Sequence, residues 1–171
     1  MTKSSNYSKP KCKAIFLDRD GVININRDDY VKSWDEFEFL PNAIEALKMI
    51  NESDYLLIII TNQSPIGRGI FTVATLDEIH TRMLNELASS GASIDAIYYC
   101  PHKPGDGCSC RKPEPGLILM AARDFDIDLK SSWMIGDSES DIIAGRRAGC
   151  RTAMVSDSRA LIDVVKEILL N

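Results

Sequence analysis

No apolar run in this chain of 171 residues reaches the roughly 18 residues that a membrane-spanning helix requires, so no membrane partner is expected. Basic charge is also short, with 20 Lys and Arg against 25 Asp and Glu and a net charge of −5. A surface of that sign repels a phosphate backbone, and general nucleic-acid binding is not expected. The opening MTKSSNYSKPKCK is polar and basic but has no apolar stretch behind it. That predicts a flexible tail over residues 1–12 rather than a secretory signal, and a cytoplasmic location. Neither an internal repeat nor a break in composition divides the rest. Residues 13–171 are therefore expected to form one domain, a monomer large enough to bury a substantial core.

What is present is an alternation of elements. Continuous apolar runs at Ala14–Leu17, Tyr55–Thr61, Ile94–Tyr99, Trp133–Gly136 and Thr152–Val155 read as strands buried on both faces, as in a parallel sheet. Helical spacing links Ile44, Leu47 and Ile50 after Pro41. Thr75 and Glu78 form a candidate capping box ahead of Ile79, Met83 and Leu87, with Gly91 as the stop. Pro115–Phe125, Ser138–Ala148 and Ser158–Leu170 complete the helices. The order predicts an α/β fold with a doubly wound, Rossmann-like parallel sheet, which places ligands beyond the carboxyl ends of its strands.

The polar motifs follow those strands directly. Asp18 and Asp20 flank Arg19; in extended chain the two carboxylates share a face and Arg19 points away. Their repulsion asks for a cation, which Mg²⁺ supplies, although a solvated pair of loop aspartates is an equal alternative. Thr61-Asn62-Gln63-Ser64 can hold an anion through hydroxyl and N–H groups, or can be an ordinary turn. The turn-rich segment from Pro65 to Gly69 carries Arg68 and suits a loop beside a ligand. Asp137 could complete a magnesium site or cap a helix, and Asp141 could add a ligand or orient one.

Cys100, His102, Cys108 and Cys110 crowd together, a spacing suited to tetrahedral Zn²⁺. With every position filled by protein, that ion would be structural. Arg111 and Lys112 follow the cluster and could grip a phosphate or carboxylate, or remain a solvated basic pair. A nucleic-acid-binding zinc finger would need a basic, aromatic face, and only Lys103, Arg111 and Lys112 stand near the cluster.

Together these motifs resemble the haloacid dehalogenase superfamily of phosphatases, from about Lys13 to Val155. The Cys-x-His…Cys-x-Cys loop and Arg111-Lys112-Pro113 are similar to its branch of heptose bisphosphate and histidinol-phosphate phosphatases. The resemblance implies Asp18 as nucleophile, Asp20 as general acid and base, and Thr61 and Lys112 as stabilisers of the phosphoryl group. It implies Mg²⁺ on Asp18, Asp20 (through its carbonyl) and Asp137. It further implies substrate contacts from Asn26, Arg27, Asp28, Asp29, Thr61, Asn62, Gln63, Ser64, Arg111 and Lys112. The expected partner is a small phosphorylated sugar, the 7-phosphate of a heptose 1,7-bisphosphate in heptose precursor synthesis. Histidinol phosphate and a polynucleotide 3′-phosphate are the alternatives. No cap-sized insert separates the first two motifs, so the site is expected to lack a large cap domain.

Overall fold

The computed structural model describes residues 11–170. The first ten residues of the expected tail lie outside that range, while Cys12 already pairs through its backbone with Asp126 and Asp128. Strands β1 (Lys13–Leu17), β2 (Tyr55–Asn62), β3 (Ala96–Cys100), β4 (Trp133–Gly136) and β5 (Arg151–Met154) form a parallel sheet in the order β3-β2-β1-β4-β5. The helices are α1 (Ala43–Asn51), α2 (Ser64–Gly67), α3 (Val73–Ser89), α4 (Gly116–Asp124), α5 (Glu139–Ala148) and α6 (Leu161–Leu169).

Alternation along the strands builds two cores. Ile15, Leu17, Leu57 and Ile59 face α1, α3 and α6, burying Leu47, Ile50, Ile79, Met83 and Val164. Ala14, Phe16, Ile58 and Ile60 face α4 and α5, burying Leu117, Ile118, Ala121 and Ala144. Both faces are therefore covered, as continuous apolar strands require. From β1 the chain winds outward to β2 and β3 and then returns to the other side for β4 and β5. The reversal falls between β1 and β4, and a crevice opens there at the strand ends.

Several elements depart from expectation. The edge strands begin elsewhere, at Ala96 and Arg151, because burial is incomplete there and the apolar run no longer marks the hydrogen-bonded segment. The cap of α3 is Thr72, whose hydroxyl accepts from the Thr75 N–H; the helix thus starts earlier than the Thr75–Glu78 pattern predicts. Residues 64–67, expected as loop, form the short helix α2. Among the described residues no helix is long and apolar enough to cross a membrane. Residues 18–54 carry a loop, a short 3-10 turn at Trp34–Glu36 and α1, with no cap domain.

Candidate active site

Four loops meet at the reversal. Asp18 leaves the end of β1, its N–H donating to the Ile135 carbonyl of β4 at 3.0 Å. Lys112 reaches it from beyond the cysteine cluster: its Nζ lies 2.9 Å from Asp18 Oδ1 and 2.6 Å from Asp141 Oδ1, and donates to the Ile60 carbonyl at 2.7 Å. Burial works against this ammonium, but the two carboxylates outweigh it and hold its pKa above the usual lysine value. Asn62 braces the same residue, donating to the Lys112 carbonyl and accepting from its N–H at 3.1 and 3.0 Å.

One oxygen each from Asp18, Asp137 and Asp141 lies within a span of 4.8 Å. Burial, with Asp141 and Asp20 adding to it and Lys112 opposing, pushes Asp18 up to about 7. Burial and then Asp141 also raise Asp137. The three carboxylates thus exceed the charge Lys112 can balance, and a cluster of hard oxygen donors is the environment Mg²⁺ takes.

Local sequence explains the placement of each. The cap position of α5 is Ser138, whose N–H and hydroxyl both donate to Asp141 Oδ2 at 3.1 and 2.6 Å, which leaves Asp137 free to face the crevice instead of capping the helix. Gly136 lets Asp141 approach, since a Cβ there would stand 2.2 Å from the Asp141 Cβ. Gly21 turns the chain after the first motif at φ +84°, and a Cβ on it would lie 1.9 Å from Asp137 Oδ2.

Asp20 is held differently. Its oxygens accept from Arg19 Nη2 at 3.0 Å each, from Asn24 Nδ2 at 2.9 Å and from Gln63 Nε2 at 2.9 Å. Burial alone would raise this carboxyl, but the Arg19 guanidinium and these bonds hold it below the ordinary range. Arg19, expected to point away, is instead fully buried and folded back onto Asp20. Nothing in the spacing of the motif signals this, because a charged residue between two aspartates reads as solvated.

These groups line a cavity of about 290 Å³ that also takes in Asn26, Tyr30, Ser64, Arg68, Arg111 and Ser140. Thr61 is buried beneath it and accepts from Gln63 Nε2. Of the expected substrate loop, Asn26 faces the cavity, whereas Arg27, Asp28 and Asp29 are exposed and Arg27 and Lys32 bond Asp29. Beside it, Cys100 Sγ lies 3.4, 3.7 and 3.2 Å from His102 Nδ1, Cys108 Sγ and Cys110 Sγ, and His102 Nδ1 lies 3.3 Å from Cys110 Sγ. Bonds of about 2.0–2.3 Å to tetrahedral Zn²⁺ give ligand separations of roughly 3.3–3.8 Å; three of the four separations fall in that range and the Cys100–Cys110 pair is slightly closer, so the cluster could hold that ion. Arg111 Nη1 donates to the His102 carbonyl at 3.1 Å, which ties the cavity wall to the cluster.

A family model described as HAD-hydrolase-like matches residues 109–162. The D-glycero-β-D-manno-heptose-1,7-bisphosphate 7-phosphatase of Bordetella bronchiseptica is 46% identical over 143 residues, 84% of this chain and 80% of that protein. The protein of the same name from Helicobacter pylori is 48% identical over 138 residues, 80% of this chain and 78% of the relative. The crystal structure of the D,D-heptose 1,7-bisphosphate phosphatase of B. bronchiseptica, complexed with magnesium and phosphate, has a TM-score of 0.86 at 38% identity. It covers 92% of this chain and 98% of that one.

Proposed function

The chain belongs to the heptose-1,7-bisphosphate 7-phosphatase family of haloacid dehalogenase-like hydrolases and is a magnesium-dependent phosphatase; from that premise we propose that it removes the 7-phosphate of D-glycero-β-D-manno-heptose 1,7-bisphosphate. The observation that carries this reading is the convergence of Asp18, Asp137 and Lys112 on one cavity, with Asp141 buried against them. Asp18, Asp137 and the backbone carbonyl of Asp20 would hold Mg²⁺, with Asp141 facing the same space. The ion would neutralise charge on the phosphoryl oxygens.

Asp18 attacks phosphorus, the ester bond breaks, and the phosphoryl group passes to the Asp18 carboxylate as an aspartyl-phosphate. Asp20 must first take up a proton against the pull of Arg19, which the negative charge of a phosphate ester entering beside it favours, and it gives that proton to the departing alcohol oxygen. It then takes a proton from the water that attacks the intermediate, which releases phosphate and restores Asp18. Lys112, with Thr61 and Ser64, stabilises the charge on the transferring group, where most of the acceleration of such a slow reaction must arise. Asn26, Arg27, Asp28 and Asp29 form the loop that meets the sugar, and Asn62 and Gln63 act by bracing Lys112 and Asp20.

Arg111 takes the distal phosphate, with Arg68 as a second cation on the cavity wall. Histidinol phosphate, with an amine and an imidazole at that end, offers neither arginine an anion. Residues 13–171 serve as one catalytic domain, with residues 100–110 holding structural Zn²⁺. The enzyme works as a cytoplasmic monomer on a small metabolite, and its net charge of −5 disfavours a polynucleotide substrate. Phosphate release from the heptose bisphosphate and from histidinol phosphate, each with and without Mg²⁺, tests the reading. Release from the bisphosphate with magnesium, at the higher kcat/KM, is expected; preference for histidinol phosphate would refute the substrate assignment.

A further inference from the structure

Arg19 is 1% exposed and rests on two points. Its Nη2 holds both oxygens of Asp20 at 3.0 Å, and its Nη1 lies 3.1 Å from Nε2 of His80. The Nε between them has no hydrogen-bond partner among the described residues. A guanidinium has no acceptor and keeps its charge, so Arg19 donates and Nε2 is the unprotonated nitrogen of the ring. His80 is itself 7% exposed, and burial followed by the Arg19 charge lowers its pKa to about 3, in keeping with a neutral acceptor. Helix α3 presents the ring, which meets Tyr99 edge-on with centroids 6.3 Å apart.

Asn24 and Gln63 hold the carboxylate oxygens of Asp20 but do not touch the guanidinium, which, gripped by Asp20 alone, would keep freedom to shift against them. The contact with His80 removes the freedom, because it fixes the far end of the guanidinium to the core. We propose that His80 is a positioning residue for proton transfer: through Arg19 it holds the Asp20 carboxylate at the angle from which it serves the leaving oxygen. This rests on the reading of Asp20 as acid and base.

The test compares kcat and KM of the full-length protein and three variants on two magnesium-supported substrates. One is p-nitrophenyl phosphate, whose leaving group needs little protonation; the other is an alkyl sugar phosphate, whose leaving group needs much. A general acid contributes 10²–10⁴-fold, and a misaligned one forfeits part of that. His80→Leu should therefore lower kcat for the alkyl ester about 10- to 100-fold more than for the aryl ester, with KM little changed. His80→Gln, which keeps an acceptor near the position of Nε2, should restore the ratio to within about 3-fold of the parent.

An unchanged ratio in His80→Leu overturns the proposal, since a purely structural histidine would lower both rates together. Asp20→Ala separates the two levels of the argument. If it is selective for the alkyl ester and His80→Leu is not, only the role of His80 fails. If Asp20→Ala is not selective, the acid–base reading fails and this proposal with it. Nitrogen NMR of the unmodified protein gives a check that no variant's folding can spoil. A neutral ring protonated on Nδ1 at pH 7 is expected, and a ring protonated on Nε2 contradicts the contact with Arg19.

Discussion

Asparagine at position 18 keeps the shape of the aspartate but has no oxygen able to form an acyl-phosphate. Asp18→Asn should therefore cut kcat by at least about 10³-fold while the protein stays folded, as initial rates and a thermal melt will report. His80 makes a separate prediction about pH. Its pKa of about 3 in the folded chain lies below the ordinary 6.5, so between those values the unfolded chain binds a proton that the folded chain refuses. Its contribution to stability is complete above about pH 6.5 and is lost as pH falls toward 3, about 2 kcal/mol of it by pH 5. Glutamine cannot take that proton. The drop in Tm between pH 7 and pH 5 should be smaller in His80→Gln than in the parent, and equal drops would mean that His80 is not held neutral. Neither Arg19 nor His80 was legible as a functional residue: His80 sits among Leu76, Ile79 and Met83 on the buried side of α3, and only the fold brings it to the first motif.

The elements that hold the site were read unevenly, for physical reasons. Central strands β1 and β4 were legible because burial on both faces leaves an uninterrupted apolar run. Edge strands β3 and β5, partly exposed, blur that signal, and α2 is too short to show a helical period. Asp137 had two local readings, metal ligand and helix cap, which sequence cannot separate; Ser138 takes the cap position and removes the second. The cysteine cluster was legible as a ligand set, and the structure adds how it is tied in. Gln63 and Gly67 donate their N–H groups to the Cys100 and Pro101 carbonyls at 2.7 and 2.9 Å, and Lys112 follows Cys110 by two residues. Metal analysis should find about one Zn²⁺ per chain. Cys108→Ser should lower both Tm and kcat, because Arg111 and Lys112 lose their anchor, yet leave activity dependent on added Mg²⁺. Full activity in a zinc-free Cys108→Ser protein would contradict the structural role.

Across the whole molecule, the sheet order brings Asp18 and Asp137 together at the β1–β4 reversal, and among the described residues no cap domain covers that point. In the proposed reading, substrate choice then falls to the cations on the cavity wall. A charge-assisted bond from Arg111 to a distal phosphate is worth roughly 1.5–3 kcal/mol. Arg111→Ala should accordingly lower kcat/KM for the heptose bisphosphate about 10- to 150-fold and cost much less on a monophosphate; equal losses on both would remove Arg111 from the recognition of the second phosphate. The central claim concerns which bond is cut. Phosphorus NMR of D-glycero-β-D-manno-heptose 1,7-bisphosphate, followed in the presence of the protein and Mg²⁺, reads this without a coupled assay. The account predicts that the 7-phosphate resonance gives way to inorganic phosphate while the 1-phosphate persists, and that Asp18→Asn leaves both in place. Loss of the 1-phosphate, or a spectrum that does not change, would contradict it.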